Sequence, residues 1–206
     1  MKENQALLVV DVQKDFLETG ALPVKNGSKV VAVINEMIPK FKTVVFSQDW
    51  HPQNHVSFAS NHPGKAPYES VDVIYGDQTL WPDHCVQNSE GAQFAAGLNT
   101  AAGTYFVKKG SNPEVDSYSA FIEADGITST GLAHWLESHG IDELFVCGLA
   151  TDFCVNWTAV DGARQGFKVS VVEDACRGVN VGDSLSQAFA EWKKRGIARV
   201  DSSEIS

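Results

Sequence analysis

Ala6-Leu7-Leu8-Val9-Val10-Asp11-Val12 sets five consecutive apolar residues against a carboxylate near the start of the chain. A run this short, apolar at odd and even positions alike, reads as a strand buried on both faces, the kind found inside a parallel sheet. Comparable runs recur at Thr43–Ser47, Thr104–Lys108, Glu143–Cys147, Lys168–Val172 and Ile197–Asp201. Between them the apolar residues fall at helical spacing. Ser28–Lys40 places Val30, Val31, Ile34, Met37, Ile38 and Phe41 on one face, with Pro39 at its end. Ser129 or Thr130 caps a helix carrying Leu132, Trp135, Leu136 and His139, and Gly140 stops it. Two further helices are expected over Phe153–Gln165 and Asp183–Lys194. This alternation predicts an α/β fold: a doubly wound sheet of about six mainly parallel strands with helices on both faces.

The chain has 206 residues, which fits a single domain spanning 1–206. Hydrophobic residues make up 43% and charged residues 20%, a balance that suits a packed core and excludes a disordered or collagen-like chain. Acidic residues outnumber basic ones by 26 to 16, for a net charge of −10. That surplus repels polyanions, so neither nucleic acid nor an anionic membrane is an expected partner. Apart from the first strand, Val30–Ile34 is the longest ungapped apolar run, far below the ~20 residues that cross a bilayer. Lys2 and Glu3 precede an apolar run too short for an export signal. Four scattered cysteines, Cys85, Cys147, Cys154 and Cys176, do not make a disulfide scaffold, so a reducing, cytoplasmic setting is expected. Composition leaves the oligomeric state open, a homo-oligomer included.

From Asp49 to Gly103 the periodicity stops, and the segment carries Pro52, Pro63, Pro67 and Pro82. Irregular segments beyond ~12–15 residues are uncommon unless something fastens them. This excursion, at about 49–103, holds His51, His55, His62 and His84. Asp49 and His51 lie two apart just past a strand end and project to one side of an extended chain. His55 follows within a loop's reach, and His84 could close the set, with His62 as a competitor. Three imidazoles and a carboxylate suit one divalent ion, Zn, Fe or Mn, with room for water. Taken singly, each histidine reads sooner as a surface loop residue than as a ligand, and it is the cluster that reverses this.

In doubly wound sheets ligands bind beyond the carboxyl ends of the strands. Three reactive residues stand there: Asp11 after the first strand, Lys109 after the third and Cys154 after the fourth. A cysteine in the first turn of a helix, next to an ammonium, gains thiolate character. Asp11 can take the thiol proton and return it to a leaving group, and backbone N–H groups around Ala150 and Cys154 can bind an oxyanion. Together these parts make an acyl-transfer site. The bland alternatives are a turn cap for Asp11, a solvated strand-end charge for Lys109 and a small buried hydrophobe for Cys154. Cys147 reads as core, Cys85 as a rival nucleophile or extra ligand, and Cys176 has no evident activator. No GxGxxG, Walker or GxSxG pattern occurs. Asn156-Trp157-Thr158 fits a glycosylation sequon but falls in an expected helix.

Five segments in order resemble the nicotinamidase/pyrazinamidase family of isochorismatase-like cysteine hydrolases. They are Leu8–Phe16, Ser47–Pro52, Trp81–Val86, Val107–Gly110 and Gly148–Val155. The resemblance implies an isochorismatase-like fold, Asp11, Lys109 and Cys154 as a catalytic triad, and Asp49, His51, His55 and His84 around one divalent ion, foremost zinc. It implies hydrolysis of nicotinamide to nicotinate and ammonia, a step of NAD salvage, and of pyrazinamide as an analogue, with the metal holding the pyridine nitrogen. The motif's Lys-Gly selects Lys109 over Lys108. Phe16, Trp81 and Tyr118 would line an aromatic slot with Leu22 at its rim, although core packing accounts for all four equally. The family also places a cis peptide before the position of Ala150. Phe153 departs from the His or Tyr that other members carry there, which bears on ring selectivity. Sister hydrolases, an isochorismatase or an N-carbamoyl amidase, generally lack the metal set. A metal-stabilised binding protein on a flavodoxin-like scaffold is the non-catalytic alternative.

Overall fold

In the computed structural model, which describes residues 2–205, strand β1 (Gln5–Val10) is buried from Ala6 onward. Its uninterrupted apolar run is explained by its neighbours: β1 pairs in parallel with strands on both sides, Leu8 lying between Val45 and Val146. After it come α1 (Val30–Met37), β2 (Thr43–Asp49), a hairpin of β3 (Ser70–Val73) and β4 (Gly76–Thr79), and β5 (Tyr105–Lys109). The second half supplies α2 (Leu132–Ser138), β6 (Glu143–Leu149), α3 (Asn156–Arg164), β7 (Lys168–Arg177), α4 (Ser184–Arg195) and β8 (Ala198–Val200). The main sheet has the order β5-β2-β1-β6-β7-β8, with every neighbouring pair parallel. The chain winds outward from β1 in one direction, crosses back, and winds outward from β6 in the other. The crevice beyond the ends of β1 and β6 is therefore the topological switch point where such sheets bind ligands.

Alternation along β6 shows that both faces are covered. Phe145 packs on Phe41, which follows α1, at 5.4 Å between ring centroids. Leu144, pointing the other way, faces Gly162 of α3. At the end of β6 the strands draw close: Gly148 has φ +119°, and a side chain there would strike the Val10 backbone. Among the described residues no helix is long and apolar enough to cross a membrane.

Six strands stand where the sequence predicts them, with shifted ends. β7 runs on to Arg177, so Cys176 is a strand residue, buried opposite Gly148. The helix expected over 28–40 is α1 flanked by short 3-10 turns, Gly27–Lys29 and Ile38–Lys40, the latter containing Pro39. At α2, Gly131 with φ +87° takes the cap position, while Ser129 and Thr130 accept the N–H groups of Gly131 and Leu132. The β3–β4 hairpin was not legible, because four-residue strands with exposed faces carry no apolar run.

The excursion is fastened at several points. Its backbone bridges pair His51 with Val86, Phe58 with Trp81, and Gln13 with Phe94. Gln13, fully buried, clamps it: the side-chain amide donates to the carbonyls of Asp49 and Ala92 and accepts the Asp49 N–H.

Candidate active site

Asp11, at the end of β1, adopts φ +46°, a left-handed conformation that few non-glycine residues hold without support. Ser47 of β2 supplies it, donating its hydroxyl to Asp11 Oδ1 at 2.6 Å and accepting the Asp11 N–H at 3.2 Å. Lys109 ends β5 opposite Asp49 in register. Alternation sends Lys108 outward over the Trp50 ring, 3.5 Å from its centroid, and Lys109 inward to 1% exposure. There the Lys109 ammonium lies 2.9 Å from Asp11 Oδ2, donates to Asp49 Oδ1 and to the Ser117 carbonyl (2.6 Å), and reaches Cys154 Sγ at 3.4 Å. Burial opposes its charge, but Asp11 and Asp49 outweigh it and raise its pKa well above the ordinary lysine value. The solvated-charge alternative for Lys109 is thereby set aside.

Cys154 lies in Thr151–Val155, a wide turn that leads from β6 into α3. The peptide Leu149–Ala150 before it is cis. The Ala150 carbonyl accepts the N–H groups of both Phe153 and Val155. Burial pushes the Cys154 thiol well above its usual pKa, Lys109 opposes this, and Asp11 and Asp49 reinforce it. The expectation of a thiolate at rest is corrected accordingly: the ammonium is already shared by two carboxylates, so it cannot carry the thiol down alone. Burial likewise raises the pKa of Asp11.

Asp49, His51 and His84 converge. Asp49 Oδ2 is 3.7 Å from His51 Nε2 and 3.9 Å from His84 Nε2. Both imidazoles are oriented from behind, His51 Nδ1–H donating to the Gly110 carbonyl at 2.9 Å and His84 Nδ1–H to the Pro82 carbonyl at 2.7 Å. A carbonyl only accepts, so each Nδ1 carries a proton and each Nε2 faces the carboxylate, its lone pair open to an ion whenever the ring is neutral. A tetrahedral ion with bonds of about 2.1 Å separates its ligand atoms by about 3.4 Å, close to this spacing. Gly110 is required at its position: φ is +63°, and a side chain there would strike the His51 ring. Burial opposes ionisation of Asp49, but Lys109 and then His51 overcome it and hold the carboxyl below the usual range. Burial, followed by the His51 charge, lowers the pKa of His84 to about 4.

His55 is placed differently. Its ring lies against His51, with centroids 4.1 Å apart, and its nitrogens group with His51 and Asp116 rather than with Asp49 and His84. Nδ1 accepts the Ser57 N–H at 3.3 Å, and Nε2 faces the Val115 carbonyl at 3.2 Å. His62 stands outside both groups, bonded to the Val56 carbonyl.

Between Cys154 and the trio Asp49, His51 and His84 lies a narrow slot. Phe16, Leu22, Trp81, Tyr118, Ala150 and Phe153 all line it. Phe153 meets Trp81 edge to face at 5.0 Å, and Trp81 Nε1 donates to Tyr118 Oη at 2.9 Å, so the slot walls brace one another. A model of the isochorismatase domain matches residues 5–204.

The chain belongs to the isochorismatase family.

This isochorismatase-family chain is 49% identical over 197 residues to a nicotinamidase of Escherichia coli (strain K12), covering 93% of this chain and 92% of that protein. It superposes on a nicotinamidase/pyrazinamidase of Acinetobacter baumanii with a TM-score of 0.99 and 46% identity over 100% of both chains. A pyrazinamidase of Pyrococcus horikoshii in complex with zinc aligns with a TM-score of 0.79 and 36% identity, over 96% of this chain and 99% of that one.

The isochorismatase-family site also uses residues that sequence reasoning missed. Val24, Asp116, Ser117 and Val179 line the cavity, and they sit in loops with no periodic or motif signal. Asp152 accepts the N–H groups of Val179 and Asn180 and the Ser184 hydroxyl, which ties the loop after β7 to the nucleophile turn. Its position two residues before Cys154 was the available signal. Of the remaining cysteines, Cys85 and Cys147 are fully buried, with thiols pushed up by burial. The Asn156 side chain accepts from buried Trp192 Nε1, so the sequon has a packing role.

Proposed function

We propose that this chain is an amidohydrolase that converts nicotinamide to nicotinate and ammonia, and that also cleaves pyrazinamide. One observation carries the reading: Cys154 Sγ, Lys109 and Asp11 meet at the wall of an aromatic slot that also carries Asp49, His51 and His84. The kinship with nicotinamidases supports it. Residues 1–206 form a single hydrolase domain in this reading, with the excursion at about 49–103 carrying all three proposed metal ligands, Asp49, His51 and His84.

The pyridine ring lies between Trp81, Phe153 and Phe16, which excludes water from the reacting carboxamide. As Cys154 Sγ bonds to the carboxamide carbon, its proton passes to the Asp11 carboxylate. The raised pKa of Asp11 makes it a stronger base for this transfer than an exposed aspartate. The oxyanion is held by backbone N–H groups at Ala150 and Cys154. Asp11 then protonates the departing nitrogen as the C–N bond breaks, leaving a thioester and ammonia. Water attacks the thioester with Asp11 again taking a proton, and nicotinate leaves as the proton returns to sulfur. Lys109 keeps its charge throughout and holds Asp11 and Asp49 in place.

Asp49, His51 and His84 would hold a divalent ion, zinc foremost, which supplies a Lewis-acid contact to the ring nitrogen and so positions the ring. His55 stands behind His51 rather than in this set. The test is ammonia release from nicotinamide, pyrazinamide and a non-aromatic amide, with and without chelator. Turnover of the two aromatic amides alone, reduced by chelation, is expected. Folded Cys154→Ala is expected to lose activity by at least about 10³-fold, and ammonia release at the wild-type rate would refute the mechanism.

A further inference from the structure

Asp15 belongs to the first motif segment, Leu8–Phe16, yet it does not line the slot. Its carboxylate is committed elsewhere. Oδ2 accepts the N–H of Cys85, 70 residues away, at 2.7 Å, and Oδ1 accepts the Ala21 N–H at 3.3 Å. The backbone of Asp15 is held as well, its N–H donating to the Gly91 carbonyl at 3.0 Å and its carbonyl accepting the Leu22 N–H at 2.9 Å.

Cys85 is where two of the proposed ligands meet. Its N–H belongs to the peptide that leaves His84, and its carbonyl accepts the His51 N–H at 3.1 Å. The residue is fully buried with φ +46°, a left-handed conformation that a residue with a side chain holds only when its surroundings impose it. The Asp15 carboxylate does so from the N–H side, through a hydrogen bond of the strong, charge-assisted class. Phe16, the next residue, backs the His84 ring with centroids 5.5 Å apart. Gly91 shows how closely the carboxylate is seated: a side chain there would lie 2.0 Å from Asp15 Oδ2. Gly91 does not adopt a positive φ, so it is the carboxylate, not the backbone, that calls for glycine.

We propose that Asp15 is a positioning residue for the divalent ion: by accepting the Cys85 N–H it fixes the peptide after His84 and, through Cys85, the backbone of His51, and so sets the spacing of two imidazole ligands. The inference rests on the assignment of Asp49, His51 and His84 as ligands. It does not depend on which amide the slot takes. Groups that orient metal ligands from behind change metal affinity by about 10–100-fold when they are removed.

Zinc affinity of the full chain tests the proposal, read by competition with a chromophoric chelator at a temperature where near-UV circular dichroism shows each variant folded. Wild type is expected to bind zinc, and His84→Ala to bind it at least about tenfold more weakly, which locates the ion at the trio. Asp15→Ala should also lose at least about tenfold, and so should Gly91→Ala, whose added methyl displaces the carboxylate while Asp15 itself is intact. Asp15→Asn keeps an acceptor for the Cys85 N–H and should stay within about threefold of wild type. A merely structural role would lower the melting temperature and leave zinc affinity unmoved. If Asp15→Ala does not fold, Gly91→Ala decides alone. Undiminished affinity in Asp15→Ala or Gly91→Ala, or a loss in Asp15→Asn as large as in Asp15→Ala, overturns the proposal and leaves the ligand assignment standing. Absence of zinc binding by wild type, or undiminished affinity in His84→Ala, overturns the ligand assignment and the proposal with it.

Discussion

Lys109 neutralises two buried carboxylates that would otherwise face each other across the end of the sheet. Removing one member of a buried ionic cluster costs more than the cluster contributes, because the remaining charges cannot reach water. Lys109→Met is therefore expected to destabilise the fold by about 3–5 kcal/mol, measured by urea unfolding, and to abolish ammonia release. Unfolding at the wild-type midpoint would show that Asp11 and Asp49 relax without it. The position of Lys109 at a strand end was legible in the sequence, whereas the choice of Lys109 over Lys108 came from the family resemblance. Its burial was not legible, since that depends on Ser117 and Asp49 arriving from elsewhere to surround it. Asp116 was illegible for the same reason: it lies in an aperiodic loop, and only the fold brings it to His51 and His55.

Among the elements, the turn Thr151–Val155 does more than carry Cys154. Through Asp152 it also secures the loop that delivers Val179 to the slot. Asp152→Ala releases two hydrogen bonds from that loop and one from Ser184 at the start of α4, while leaving Cys154, Lys109 and Asp11 in contact. Steady-state kinetics should show KM for nicotinamide raised about tenfold, equivalent to about 1.4 kcal/mol, with kcat changed much less. A fall in kcat with KM unchanged would instead place Asp152 in support of the nucleophile itself. Such coupling between loops leaves no trace in periodicity, which is why strands and helices were readable and the slot's rim was not. The hairpin escaped too, although Tyr75 and Gln78 on it organise the polar wall behind Tyr118.

For the molecule as a whole, the ligand trio ties stability to pH. In the metal-free protein His84 titrates at about 4 instead of 6.5, so the unfolded chain takes up a proton in a range where the folded one does not. The stability His84 contributes is complete above pH 6.5 and drains away as pH falls toward 4, at up to about 1.4 kcal/mol per pH unit. Chelator-treated wild type should accordingly lose melting temperature more steeply between pH 7 and 4.5 than His84→Asn does. Parallel profiles would mean that His84 is protonated with little penalty. Sheet class and helix placement could be read from the recurring apolar runs, whereas strand order could not, because parallel strands carry no turn that names their neighbour. Asp11 and Cys154 follow β1 and β6, adjacent in the sheet yet separated by α1, the excursion and α2. During synthesis, then, Asp11 emerges early and waits for a partner that is made only after most of the chain. No truncated product ending before β6 contains Cys154, and any that contains it already holds Asp11 and Lys109. Cys154 can therefore meet Asp11 and Lys109 only once β6 has been made.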